Sequence, residues 1–198
     1  MKKDWEALLR ELREIHEDFR EIAAAELEVA EWVRWKCKFG CRAYAKHLTC
    51  PPYAPTPEET RRLLAGYERA VVARFEEVQP NSEVPPAHIH HYLWDAILKM
   101  HETMFELERH TFLAGYYKAF AMAALPCSYC SDCLPERAGF VLEGEASKRF
   151  CERQERARPS MEACGIDVFK TVQKVGYELE VRRSATEEII FFGLLLIE

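Results

Sequence analysis

Leu8, Leu12, Ile15, Phe19 and Ile22 recur at steps of three or four residues between Glu, Arg and Lys. That period predicts one amphipathic helix from Trp5 to about Ala25, available to pack on the rest of the chain or on a second copy of it. Glu31 to Trp35 breaks the period with Trp32, Val33 and Trp35 and reads as a strand leading into Cys37. Thr56-Pro57-Glu58-Glu59 is a helix start, with Thr56 as N-cap, Pro57 at the first helical position and Glu59 placed for a capping box. This helix is expected to end at Leu64 or Ala65, before Gly66. Tyr67 to Phe75 then reads as a buried strand centred on Val71, Val72 and Ala73.

Gln79 to Ala87, rich in Pro, Asn and Ser, predicts a loop, and Ile89 to Ala114 a long helix with Leu93, Ile97, Met100, Met104 and Leu107 on one face. Its opposite stripe, His91, Asp95, Glu102, Glu106 and His110, lacks the paired Glu-x-x-His motifs of a di-iron bundle and is read as a solvated face. His88, His90 and His91 are treated as surface. Tyr116 to Ala124 predicts a strand delivering Cys127, and Leu134 to Phe150 a loop or short hairpin. Ser160 to Gly165 reads as a capped turn, and Asp167 caps a helix from Val168 to Val175. Tyr177 to Val181 and Glu188 to Ile197 are the last two predicted strands, the final one apolar enough to be central. The pattern points to an α+β (or α/β) fold, a single sheet flanked by helices with the cysteine loops at one end. Residues 1–28 would form an N-terminal helical extension and 29–198 the cysteine-rich domain.

Composition narrows the function classes. The 198 residues are 48 % hydrophobic and 30 % charged, which suits a folded domain. A net charge of −6 with no long basic run argues against a nucleic-acid partner. The longest apolar run, Ile189 to Ile197, falls well short of the roughly 20 residues a membrane-spanning helix needs. Met1-Lys2-Lys3-Asp4-Trp5 opens into charged residues without the apolar core of a secretion signal, so a cytoplasmic location is expected. In that reducing compartment the eight cysteines are better read as metal ligands than as disulfides.

Those cysteines fall into two groups. Cys127-x2-Cys130-x2-Cys133 has the spacing of the first three ligands of a bacterial ferredoxin run, and Cys151 is the candidate fourth ligand of a [4Fe–4S] cluster. Cys37-x3-Cys41-x8-Cys50 matches no common cluster spacing; Pro51 after Cys50 leans toward iron–sulfur, and Cys164 would be its fourth ligand if the fold brings that turn alongside. Zinc remains the alternative, since four thiolates also bind it tetrahedrally. Cys164 has the further alternative of a small buried hydrophobe. Arg158 and Ser160 are candidates for hydrogen bonding to cluster sulfides or to an anion, with simple helix capping as the plainer role.

Cys37-x3-Cys41-x8-Cys50-Pro51-Pro52-Tyr53, Gly115 to Phe120 leading to Cys127-x2-Cys130-x2-Cys133, Cys151, and Arg158 to Phe169 occur in this order. Together they resemble the DUF2284 family of metal-binding, cysteine-rich proteins, from about Glu31 to the C-terminus. The resemblance implies a metal or iron–sulfur site built from these cysteines. The segment from Cys133 to Cys151 is longer than the resemblance leads one to expect. No P-loop, dinucleotide fingerprint or nucleophile elbow is present. The expected function is therefore an iron–sulfur protein, with one or two [4Fe–4S] clusters, exchanging electrons with a redox partner protein. Two alternatives stand beside it: an enzyme whose substrate binds an open iron of the three-cysteine group, and a zinc-stapled interaction module. A homo-oligomer through the N-terminal helix is a further expectation.

Overall fold

The computed structural model describes residues 4–77, 93–142, 149–181 and 189–198. Its helices are α1 (Trp5–Ile15), α2 (Glu31–Gly40), α3 (Pro57–Leu64), α4 (Trp94–Leu113), α5 (Leu134–Ala138) and α6 (Val168–Lys174). Its strands are β1 (Phe19–Ala23), β2 (Arg69–Glu77), β3 (Phe120–Met122) and β4 (Ile189–Ile197). They form one antiparallel sheet of order β1-β2-β4-β3, which makes this an α+β protein. β4 is interior to the sheet, as its unbroken apolar run predicts.

Both faces of the sheet are covered. Ala70, Val72, Phe192, Leu194 and Leu196 share one core with Leu64, Met161, Ile166 and Val172. On the other face Val71, Ala73, Leu195 and Ile197 meet Leu8, Leu9 and Leu12 of α1 and Met104 and Leu107 of α4. The period-two alternation of β2 and β4 therefore sorts side chains between two buried layers. Gly193 lets α4 lie close on β4, because a Cβ there would run into the Met104 thioether.

Four expectations are corrected. The first helix stops at Ile15, and the chain continues as edge strand β1 instead of running helical to Ala25. Phe19 and Ile22 mimic a helical step because each serves a different face of the sheet, so their spacing of three reflects two cores. The stretch from Glu31 is a helix, not a strand: Val33 is its one buried residue, while Trp32, Trp35 and Phe39 are 46 %, 64 % and 72 % exposed. Tyr177 to Val181 forms no strand; Tyr177 is held by its side chain, which donates to Asp18 Oδ1 at 2.7 Å and packs on Phe192. The loop after Cys133 opens with α5, ended by Gly139 at φ 74°.

Local signals fare better. Thr56 and Glu59 form the reciprocal capping box, with Glu59 N–H donating to Thr56 Oγ1 at 3.2 Å and Thr56 N–H to Glu59 Oε2 at 2.7 Å. Asp167 caps α6 by accepting from Lys170 N–H at 3.1 Å. On α4, Glu106 and His110 of the polar stripe carry surface contacts, His110 with Glu11 at 2.7 Å and Glu106 with Arg109 at 3.5 Å. The Gln79 to Ala87 loop, His88, His90, His91 and the start of the long helix lie outside the described residues.

Candidate metal centre

The cysteines are positioned by one short segment, Arg158 to Asp167, that touches the framework of both groups. On one side it extends the sheet past β3: Ala123 N–H donates to Pro159 O at 2.9 Å and Met161 N–H to Ala123 O at 3.2 Å. Ala123 leads directly to Cys127. On the other side Ala30 N–H donates to Gly165 O at 2.8 Å and Asp167 N–H to Glu28 O at 2.7 Å, which docks the start of α2 and so aims Cys37. Two side chains pin the turn's carbonyls. Arg34 Nη1 donates to Ala163 O and to Pro55 O at 3.0 Å, and Thr60 Oγ1 to Cys164 O at 2.7 Å. Gly165 sits at φ 83°, where a Cβ would lie 2.8 Å from Pro57 Cγ. Only glycine fits that left-handed position without strain.

The two loops also meet directly. Leu48 N–H points at Cys133 Sγ, 3.5 Å away, and Lys46 pairs with Glu136 of α5 at 3.1 Å. Between them lies a small pocket of about 80 Å³ lined by Leu48, Thr49, Ala54, Pro55, Cys151 and neighbouring residues. Among the described residues Thr49 Oγ1, shut from solvent, has no hydrogen-bond partner.

None of the eight cysteines is in a disulfide. Burial pushes the Cys50 thiol far above the ordinary range, and Cys41, Cys37, Cys127 and Cys133 add repulsion, so members of both groups lie within electrostatic reach of one another. Cys127 is pushed up to about 12, chiefly by burial and then by Cys133, Cys151 and Cys130, against a backbone N–H from Tyr129. Burial also raises Cys37, with Cys41 and Glu162 adding to it and Arg34 opposing. Cys130 and Cys133 are raised by burial as well, Cys133 being eased by the N–H groups of Leu48 and Leu134. Without a cation these thiols hold their protons at neutral pH. A metal binds by taking the protons' place, and the packed thiolates then gain the positive charge they lack.

The donor set fits a thiophilic metal: soft sulfur ligands select iron–sulfur clusters, zinc or copper(I). Among the described residues no three His, Cys, Asp or Glu side chains are gathered as a single metal ion would hold them. Cys37, Cys41, Cys50, Cys127, Cys130, Cys133 and Cys151 flank the joined loops. Cys164 is placed elsewhere, fully buried in the sheet's core with Met122, Met161, Ile166 and Leu194.

Arg158 is engaged with Glu108, Nε to Oε2 at 2.7 Å and Nη2 to Oε1 at 2.5 Å, and with the carbonyls of Glu155 and Ala157. Ser160 Oγ accepts from Ala163 N–H at 3.1 Å, the capping role. Two groups beside the second cysteine group gave no signal in the sequence. His101 is buried against Tyr129, ring centroids 6.0 Å apart, and burial lowers its pKa to about 4. Glu108 sits on α4 fifty residues before its arginine, a separation no local pattern announces.

The match to a family model for predicted metal-binding proteins, DUF2284, runs over residues 20–197. The chain belongs to the DUF2284 family. Both cysteine groups and the Arg158 to Asp167 segment lie inside the matched range. No curated protein and no solved structure matches the chain. As a DUF2284 member it is assigned metal binding, with the metal left to the chemistry of its own residues. Among the described residues no helix is long and apolar enough to cross a membrane.

Proposed function

We propose that this protein holds a [4Fe–4S] cluster on Cys127, Cys130, Cys133 and Cys151, a second metal or cluster on the Cys37, Cys41 and Cys50 group, and exchanges electrons with a cytoplasmic partner protein. The observation that carries the reading is the Leu48 N–H aimed at Cys133 Sγ. An N–H donor on a ligand sulfur stabilises the reduced, more negative cluster and is one of the protein's levers on potential. Seven thiols around joined loops also exceed the four that one zinc takes. When bound, the cluster supplies one-electron chemistry. The chain's own residues supply thiolates, N–H donors and a partly buried setting.

Iron, acid-labile sulfide and zinc per chain after anaerobic purification test this. About four irons with equal sulfide supports one [4Fe–4S] cluster and about eight supports two. Stoichiometric zinc without sulfide supports a zinc-stapled interaction module instead.

A second reading is favoured by the placement of Cys164 in the core, which leaves the first group with three thiols. A three-thiol cluster has an iron available to a small ligand, as in an enzyme using that iron as a Lewis acid. An electron paramagnetic resonance spectrum of the reduced protein that is indifferent to added small anions and amines would remove it.

A further inference from the structure

The Arg158 to Asp167 turn does come alongside the first cysteine group, and Glu162, not Cys164, is the residue of the turn that meets Cys37. Cys37 Sγ lies 4.0 Å from the backbone oxygen of Glu162. The Glu162 carboxyl is near enough for its charge to disfavour the Cys37 thiolate. Thr60 Oγ1 on Cys164 O, together with the full burial of the Cys164 side chain, turns that thiol into the sheet's core. The two residues are thus held on opposite sides of one turn.

The Glu162 carboxyl is bonded by the Ser160 side chain and by its own backbone N–H. Among the described residues its Oε2 is closed off from solvent without a hydrogen-bond partner, and the carboxyl forms no ion pair. The Arg34 guanidinium gives its Nη1 to the carbonyls of Ala54, Pro55 and Ala163. A carboxylate oxygen removed from water without a partner is costly, and native proteins resolve the cost by protonating the group, the direction in which burial pushes Glu162, or by coordinating a metal.

We infer that the Glu162 carboxylate, not the Cys164 thiol, is the fourth ligand of the Cys37, Cys41 and Cys50 group. This rests on the reading that the group holds an iron–sulfur cluster. A cluster distributes its four ligands over separate irons, so the four donors need not crowd one point. A carboxylate oxygen is a harder donor than thiolate and holds iron less tightly. The iron it caps is the exchangeable one, which gives the three-thiol group a closed resting form and a site that a competing ligand opens by displacing Glu162.

The test compares full-length wild type, Glu162→Gln, Glu162→Cys and Cys164→Ala, reconstituted anaerobically, by iron and sulfide content and by electron paramagnetic resonance of the oxidised proteins. Glu162→Gln is expected to lose about one iron per chain and to show the signal of a three-iron cluster, which a [4Fe–4S]²⁺ cluster does not give. Glu162→Cys is expected to restore the iron count, and Cys164→Ala to match wild type. Wild-type iron and spectrum in Glu162→Gln, or the three-iron signal in Cys164→Ala, overturns the assignment. Where Glu162→Gln fails to fold, Glu162→Cys decides: a shifted electron paramagnetic resonance spectrum of its reduced cluster supports the carboxylate as ligand, and a wild-type spectrum overturns it. Zinc without sulfide in wild type overturns the iron–sulfur reading itself, a result distinct from any difference among variants.

Discussion

The backbone N–H of Leu48 lies 3.5 Å from the Sγ of Cys133, a donor from the first cysteine loop resting on a cysteine sulfur of the second. Because the donor is backbone, only proline removes it. Leu48→Pro is expected to lower the reduction potential of the proposed cluster, since the more negative reduced state loses a stabilising N–H. Leu48→Ala keeps the N–H and loses a buried side chain, so it should leave the potential unchanged while costing about 2–5 kcal/mol of stability. Potentiometric titration of both variants separates the two effects. Equal potentials would remove the donor from the account.

The Arg158 and Glu108 side chains are 16 % and 12 % exposed, and Glu108 Oε2 also accepts from Ala121 N–H at 2.7 Å. One carboxylate therefore ties α4, β3 and the Arg158 segment together. Glu108→Ala strands a partly buried guanidinium and is expected to cost roughly 3 kcal/mol in urea denaturation, toward the lower end for a broken buried pair. Arg158→Lys should lose most of the same stability, because an ammonium cannot make the two parallel bonds.

Gly165→Ala forces a side chain into the left-handed region and against Pro57. A loss of at least about 1–3 kcal/mol is expected. Gly40→Ala, with nothing within 4 Å of its new Cβ, should be neutral or stabilising. Thermal melts of the pair decide whether the turn's conformation matters beyond its composition.

His101 has its folded pKa lowered from 6.5 to about 4 by burial. The unfolded chain binds this proton first as pH falls, so the stability due to a neutral His101 is complete above pH 6.5 and is lost between there and about 4. The loss is on the order of 3 kcal/mol. Urea midpoints of the metal-free protein at pH 7 and pH 4.5 should differ accordingly, and His101→Gln should flatten the difference.

The raised thiols act in the opposite direction. Cys50 and Cys127 stay protonated when folded beyond the ordinary thiol value of 9.0, so the metal-free fold loses stability as pH climbs above that value. Metal binding must expel those protons, and its affinity is expected to rise with pH across the neutral range. Proton release on loading, followed with an indicator dye in weak buffer, measures it directly.

Features set by neighbours in sequence were legible. The capping box at Thr56 and Glu59, the Asp167 cap and the apolar β4 run each follow from a few adjacent residues. Two of the four corrected segments fail for a tertiary reason. Phe19 and Ile22 are three apart because an edge strand serves two cores, and the aromatic residues of α2 suggest a strand although the helix turns them outward. At the candidate centre the two groups of thiols are marked by spacing alone. The orientation of Cys164, the Leu48 donor and the Glu162 carboxylate depend on how a distant turn docks on α2, and no pattern within either segment encodes that docking.

β4 follows every cysteine in the chain, yet it lies between β2 and β3 in the sheet. During synthesis both thiol groups are therefore made before the strand that joins β2 to β3. A chain that has not yet made β4 carries every thiol on an open sheet, with the apolar faces of β2 and β3 still exposed.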